Sequence, residues 1–239
     1  MSCAYREGSP EIIKSRDSWW TSVFASKAAI RIVYIIKNSG ITPNQVTIIS
    51  FLVGVAAAAC FGSGARPMLI AGAILLQLSL VLDCVDGQLA RLKNQSSEKG
   101  AWLDLATDII KVFSVYFGLS YGAAHVKGDY SFFAWGFCAY FLSVSTMFLF
   151  YARPVKIKEE GNDSCGEAGG RSAVEYIYNI IRKRAYYLSF STPDQYLVIS
   201  MFAILGIVNV LIKVVVFWGW AVLLFSLART WRRLSKSNV

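Results

Sequence analysis

Charge is scarce in this chain of 239 residues: Asp, Glu, Lys and Arg together make only 16% of it, and there is a single histidine. A typical soluble domain has about a quarter of its residues charged, so an ordinary water-soluble globule is excluded. The five cysteines, Cys3, Cys60, Cys84, Cys138 and Cys165, show neither paired spacing nor a Cys-His cluster. They offer no framework for disulfides or a zinc site and read as reduced thiols. Cys84 sits between two aspartates, but a hard cation held by carboxylates has little use for sulfur. There is no GxGxxG turn, no P-loop and no repeat of fixed period, which sets aside the common nucleotide cradles and the solenoids. The N-terminal segment has no short apolar core followed by a small-residue cleavage site, so the first 40 residues are expected to be retained. His125 falls in what reads as an external loop, a surface residue rather than a catalyst.

Apolar residues dominate what remains, at 55% with a mean hydropathy of +0.47. Crossing the roughly 30 Å hydrocarbon core of a bilayer takes about 20 residues of helix. Runs of about that length extend from Asn44 to Phe61, Pro67 to Leu89, Ala101 to Ala124, Ser131 to Tyr151, Gln195 to Ile212 and Val214 to Thr230. The expected fold class is therefore an all-α integral membrane protein with six transmembrane helices. The last two runs are parted only around Lys213, so one long, tilted or broken span competes there. Ahead of them Trp19, Trp20, Val23, Phe24, Ile30, Val33, Tyr34 and Ile36 alternate with Lys27, Arg31 and Lys37. That spacing predicts an N-terminal amphipathic helix in the interface, with a short soluble helix packed on the bundle as the alternative. Residues 1–40 thus form an N-terminal segment and 41–239 the membrane domain.

The 24 Lys and Arg residues give the orientation. With the N-terminus in the cytoplasm, Arg66, Lys127 and Lys213 fall outside, Lys111 lies within a span, and the rest are inside. This is the positive-inside pattern with both termini cytoplasmic. The net charge of +9 is then a membrane-surface property, and nucleic acid is not expected as a partner. Between the fourth and fifth spans, Gly161, Asn162, Asp163, Ser164, Gly166, Gly169 and Gly170 mark a loop, and Ser172 to Arg184 reads as a short basic helix.

Four aspartates, Asp83, Asp86, Asp104 and Asp108, lie inside the second and third apolar runs. Intramembrane carboxylates are rare unless they face a watery cavity or a partner, and several together repel unless cations hold them. Arg91 and Lys111 are the nearest cations, so one or two divalent ions with oxygen ligands form the economical solution. On one helix Asp83, Asp86, Gly87 and Ala90 share a face, as do Gly100, Asp104 and Asp108 on the next. A short turn between antiparallel helices brings the two faces together near the cytoplasmic end. Gly87, Ala90 and Gly100 clear space there for something flat or for a neighbouring backbone.

The pattern Asp83-x-x-Asp86-Gly87-x-x-Ala90-Arg91, eight residues, Gly100-x-x-x-Asp104-x-x-x-Asp108 resembles the signature of the CDP-alcohol phosphotransferase family at all its defining positions. Chance agreement at a given start is on the order of one in 10⁹ at average residue frequencies. The resemblance implies transfer of a phospho-alcohol group from a CDP-linked donor to an alcohol, with release of CMP, on a pair of Mg2+ or Mn2+ ions. It implies Asp83, Asp86 and Asp104 as metal ligands, with Asp108 at the metal and also the proton acceptor. Arg91 would face the diphosphate, and Gly87, Ala90, Ser97 and Gly100 would border the donor. A second match, Thr42-Pro43-Asn44-Gln45-Val46-Thr47, adds Asn44, Gln45, Val46 and Thr47 as donor contacts, although Thr42-Pro43 is also an ordinary helix start.

The expected partners are a CDP-linked donor, with CDP-diacylglycerol or a soluble CDP-polyol or CDP-amino alcohol as candidates, an alcohol acceptor, membrane lipids and a second copy of the chain as a homodimer. Asp194, Tyr196, Arg153 and Arg182 to Arg184 are candidates to shape the acceptor pocket. An ion transporter with an acidic intramembrane site is the rival class, but it leaves the spacing of Gly87, Ala90, Arg91 and Gly100 unexplained.

Overall fold

The structure is a computed structural model that describes residues 18–151 and 191–237. All regular elements among these residues are helical. A single π-helical turn, Thr21–Ala25, leads into α1 (Ser26–Ile36). It is followed by α2 (Pro43–Gly62), α3 (Arg66–Leu92), α4 (Glu98–Lys127), α5 (Ser131–Tyr151), α6 (Thr192–Leu205) and α7 (Val208–Ser237). Five of them, α2, α3, α4, α5 and α7, are long and apolar enough to cross a membrane. The fifth expected span, Gln195 to Ile212, overlaps α6, whose 14 residues rise only about 21 Å. The predicted loop around Gly161 to Gly170, the helix Ser172 to Arg184, the basic residues Arg153 and Arg182 to Arg184, and Cys3 and Cys165 lie outside the described residues.

Local chemistry sets the helix ends. Thr42 caps α2 through a reciprocal box: its hydroxyl accepts from the Gln45 amide, and the Gln45 side chain accepts from the Thr42 amide. Pro43 opens the first turn, where its missing N–H costs nothing. The turn from α3 to α4 passes through Asn94 in a left-handed conformation and ends at Ser97, whose hydroxyl accepts from the Gly100 amide. One expectation needs correction. The last two helices part at Gly206, whose φ of +75° suits glycine, and Lys213 lies inside α7. A charged lysine is no obstacle to helix continuity, whereas the left-handed glycine ends the preceding helix.

The bundle is built around α2, which packs most extensively on α3 and α4, while α6 lies on α3 and α7 on α5. Small residues let these backbones approach. A Cβ placed on Gly118 of α4 would land on the Ala58 carbonyl of α2, and one on Gly122 would land on the Phe61 carbonyl. Phe61, Leu76, Leu89, Leu119, Leu142, Ile199, Leu211 and Ile212 fill the interior. Large apolar side chains also point outward, among them Ile49, Leu52, Ile74, Phe117, Phe137 and Phe217, a surface suited to lipid rather than water.

The N-terminal helix docks on protein through small residues. Ala25, Ser26, Ala29 and Val33 are buried, whereas Trp19, Val23 and Phe24 face outward. Polar contacts fasten it along α3. The Trp20 indole donates to the Gln77 side chain, Gln88 donates to the hydroxyl and carbonyl of Ser26, and Lys93 donates to the carbonyls of Ser39 and Ile41. These anchor points climb about 24 Å along the α3 axis at 1.5 Å per residue. His125 belongs to the last turn of α4 rather than to a loop, with its ring stacked on Tyr121 at 6.3 Å.

Candidate metal and donor site

The site forms where the last turns of α3 meet the first three turns of α4, beside the start of α2. Carboxylate oxygens of Asp83, Asp104 and Asp108 converge within 4.8 Å of one another. These helices deliver them because i, i+4 spacing stacks Asp104 and Asp108 on one face of α4, and the turn at residues 93–97 folds that face onto α3. Three convergent carboxylates form a hard-oxygen donor set suited to a divalent ion such as magnesium. Asp86 is buried one turn beyond Asp83, and its Oδ2 accepts a 2.6 Å hydrogen bond from the Thr47 hydroxyl. The same hydroxyl also donates to the Pro43 carbonyl at 3.2 Å, so α2 fixes the orientation of Asp86.

The segment 44–47 therefore divides its work. Thr47 orients Asp86, Gln45 completes the cap of α2, and Val46 is buried in the core. Asn44 lies on the opposite helix from Gly100 and close to it: a Cβ on Gly100 would come 3.1 Å from Asn44 Oδ1 and 3.2 Å from Ser97 Oγ. Asn44 also lines a cleft of about 540 Å³ with Glu98, Lys99, Trp102 and Leu103. At Gly87 the nearest atoms to an added Cβ are the Arg91 guanidinium nitrogens, at 3.8 and 3.9 Å. Among the described residues, the bare glycine face is thus open apart from the cation that overlies it. Ala90 follows on the same face, half-buried.

One residue of the centre entered the sequence reading only as a nearby cation, and the structure puts it inside the acidic cluster. The Lys111 ammonium lies 2.8 Å from Asp83 Oδ1 and 2.8 Å from Asp108 Oδ1, and the residue is only 2% exposed. Its signal was present: a lysine within an apolar run three residues after an aspartate can only be buried against carboxylates. Of the acceptor candidates, Tyr196 is buried within electrostatic reach of Lys111, Asp83 and Asp108. Asp194 faces elsewhere, accepting from the Ser191 hydroxyl and the Trp20 amide. Its neighbour Gln195 accepts from Tyr116 and Ser143 in a buried network joining α6 to α4 and α5.

Sequence comparison places this geometry among known proteins. A Bifunctional IPC transferase and DIPP synthase of Aquifex aeolicus is 31% identical over 174 residues, 72% of this chain and 35% of that protein. An Archaetidylinositol phosphate synthase of Pyrococcus horikoshii is 37% identical over 102 residues, 43% of this chain and 52% of that one. The chain thus spans between a third and about half of the length of these relatives. The crystal structure of a Mycobacterium tuberculosis phosphatidylinositol phosphate synthase with CDP-DAG bound aligns over 82% of this chain and 94% of that one, at 22% identity and a TM-score of 0.44. The CDP-alcohol phosphatidyltransferase family profile matches residues 40–225, a stretch that contains every aspartate of the centre together with Thr47, Gly87, Arg91 and Lys111. On that match the chain belongs to the CDP-alcohol phosphatidyltransferase family.

Proposed function

We propose that this protein transfers a phosphatidyl-type phospho-alcohol group from a CDP-linked lipid donor to an alcohol acceptor, releasing CMP. The observation that carries the reading is the convergence of the Asp83, Asp104 and Asp108 carboxylates beside the open Gly87 face and the Arg91 guanidinium. Asp83, Asp86, Asp104 and Asp108 would hold a pair of divalent ions. Bound there, the ions supply charge neutralisation for the diphosphate and the leaving group.

The chain's own residues account for the rest. Arg91, poised over Gly87, offers a fork of donors to diphosphate oxygens. Gly87, Ala90 and Gly100 leave the helix faces clear for the nucleotide, and Asn44, Ser97 and the cleft beside Trp102 border it. The acceptor oxygen bonds to the phosphorus bearing the donor's lipid alcohol. The bond from that phosphorus to the bridging pyrophosphate oxygen breaks, and CMP leaves with the electron pair. Asp108 takes the acceptor hydroxyl proton. The name of the Pyrococcus relative, an Archaetidylinositol phosphate synthase, favours a lipid donor, with a soluble CDP-polyol or CDP-amino alcohol as the alternative. The positive-inside pattern supports an active site and termini on the cytoplasmic side.

The test is CMP release by purified protein with magnesium over a panel of CDP-linked donors and alcohol acceptors, with products identified by mass. A lipid phosphodiester formed only from CDP-linked lipid is the expected product. CMP release confined to soluble donors would overturn the lipid assignment, and no CMP from any donor would overturn the reaction.

A further inference from the structure

Lys111 is held along its whole length. Its ammonium bridges Asp83 and Asp108 at 2.8 Å each. Its stem runs through a slot that Gly54 of α2 opens, since a Cβ on Gly54 would come 2.7 Å from both Cγ and Cδ of Lys111. The Tyr196 hydroxyl is buried without a hydrogen-bond partner among the described residues, within electrostatic reach of Lys111, Asp83 and Asp108. The two carboxylates that hold the ammonium belong to the three whose oxygens converge. A divalent ion needs those oxygens, and it repels a cation placed against them.

We propose that Lys111 is a tethered counter-ion of the acidic centre. It holds Asp83 and Asp108 in place whenever no divalent ion is bound, and a divalent ion must displace it from at least one of them. Lys111 is thus a positioning residue that sets the metal affinity of the centre and lets the acidic cluster persist in an apolar bundle without metal. The inference rests on the metal-centre reading above.

The experiment measures Mn2+ binding to the purified full chain in detergent, by the electron paramagnetic resonance signal of free Mn2+, for wild type and Lys111→Met. Methionine keeps an apolar stem in the Gly54 slot and removes the charge. The expected result is binding at least about tenfold tighter in the variant, with a thermal midpoint below wild type in EDTA that Mg2+ restores. A merely structural role for Lys111 would weaken metal binding. Unchanged or weaker binding in Lys111→Met, with wild type still binding, overturns this inference alone. Absence of Mn2+ binding by both proteins overturns the metal-centre reading as well, whereas binding by the variant alone supports the counter-ion role. Should Lys111→Met fail to fold, the charge-balanced Asp83→Asn/Lys111→Met decides. Its recovery of a folded, monodisperse protein supports the counter-ion role, and its failure makes Lys111 a packing residue and overturns the proposal.

Discussion

At the scale of single residues, Asp83 and Asp108 share the Lys111 ammonium whereas Asp86 is held by Thr47, and variants at these positions should separate accordingly. Asp108 is the proposed proton acceptor, so Asp108→Asn should lower turnover to less than about a tenth of wild type. Donor binding should stay near normal, because the other three carboxylates remain. A variant retaining more than that rate in CMP-release assays would remove Asp108 from the base role. Asp86 is aimed by the Thr47 hydroxyl at 2.6 Å. A hydrogen bond to a charged group contributes about 1.5–3 kcal/mol, so Thr47→Val should weaken Mn2+ binding by roughly tenfold while the fold persists. Equal Mn2+ affinity in the two proteins would show that Asp86 needs no such guide. Gly87 makes a contrasting case, because among the described residues outside its own turn of helix only the Arg91 guanidinium lies within 4 Å of an added Cβ. Gly87→Val should therefore assemble like wild type yet lose affinity for a CDP-linked donor in equilibrium binding, and normal affinity would place the nucleotide elsewhere.

At the scale of helices, the two kinds of glycine in this chain part company. Gly87 and Gly100 look into the site, whereas Gly118 and Gly122 are where α4 touches the backbone of α2. Overpacking a close helix contact costs typically 1–3 kcal/mol. Gly118→Ala should thus lower the thermal midpoint in detergent clearly, while Gly87→Ala should leave it nearly unchanged. Equal midpoints would mean that α2 and α4 can separate at no cost. The length of the apolar runs marked α2 to α5 to within a few residues, because an uninterrupted apolar run has one economical conformation in a bilayer. It misplaced the break before α7. The charged Lys213 drew attention, but the left-handed Gly206 ends the helix, and a lone glycine in an apolar run is hard to tell from a packing glycine. Thr47 presented a similar ambiguity: its place in a matching segment pointed to a donor contact, whereas its hydroxyl reaches Asp86 across two helices.

For the whole molecule, the distribution of Lys and Arg implies that the α3–α4 turn and the α4–α5 turn lie on opposite sides of the membrane. In a cysteine-free background within right-side-out vesicles, a membrane-impermeant maleimide should label Asp129→Cys and spare Ser96→Cys until the membrane is permeabilised. The reverse pattern would invert the proposed topology and put the active site on the outer face.

The residue order alone determined that this chain is an apolar helical protein and that four carboxylates lie on two adjacent apolar helices. Burying so much apolar surface in water and isolating so many acids in lipid are both costly, so few alternatives survive. The register of the motif along α3 and α4 is a matter of local helical geometry and can be counted directly. Tertiary structure decided what lies against those faces. It set Thr47 on Asp86, the Lys111 ammonium between Asp83 and Asp108, Gly54 beside the lysine stem and Tyr196 within electrostatic reach of the cluster. Apart from the Lys111–Asp108 pair, three residues apart on α4, these contacts join residues 28 or more positions apart, across helices whose rotation and depth come from mutual packing, and no periodicity within one segment specifies them.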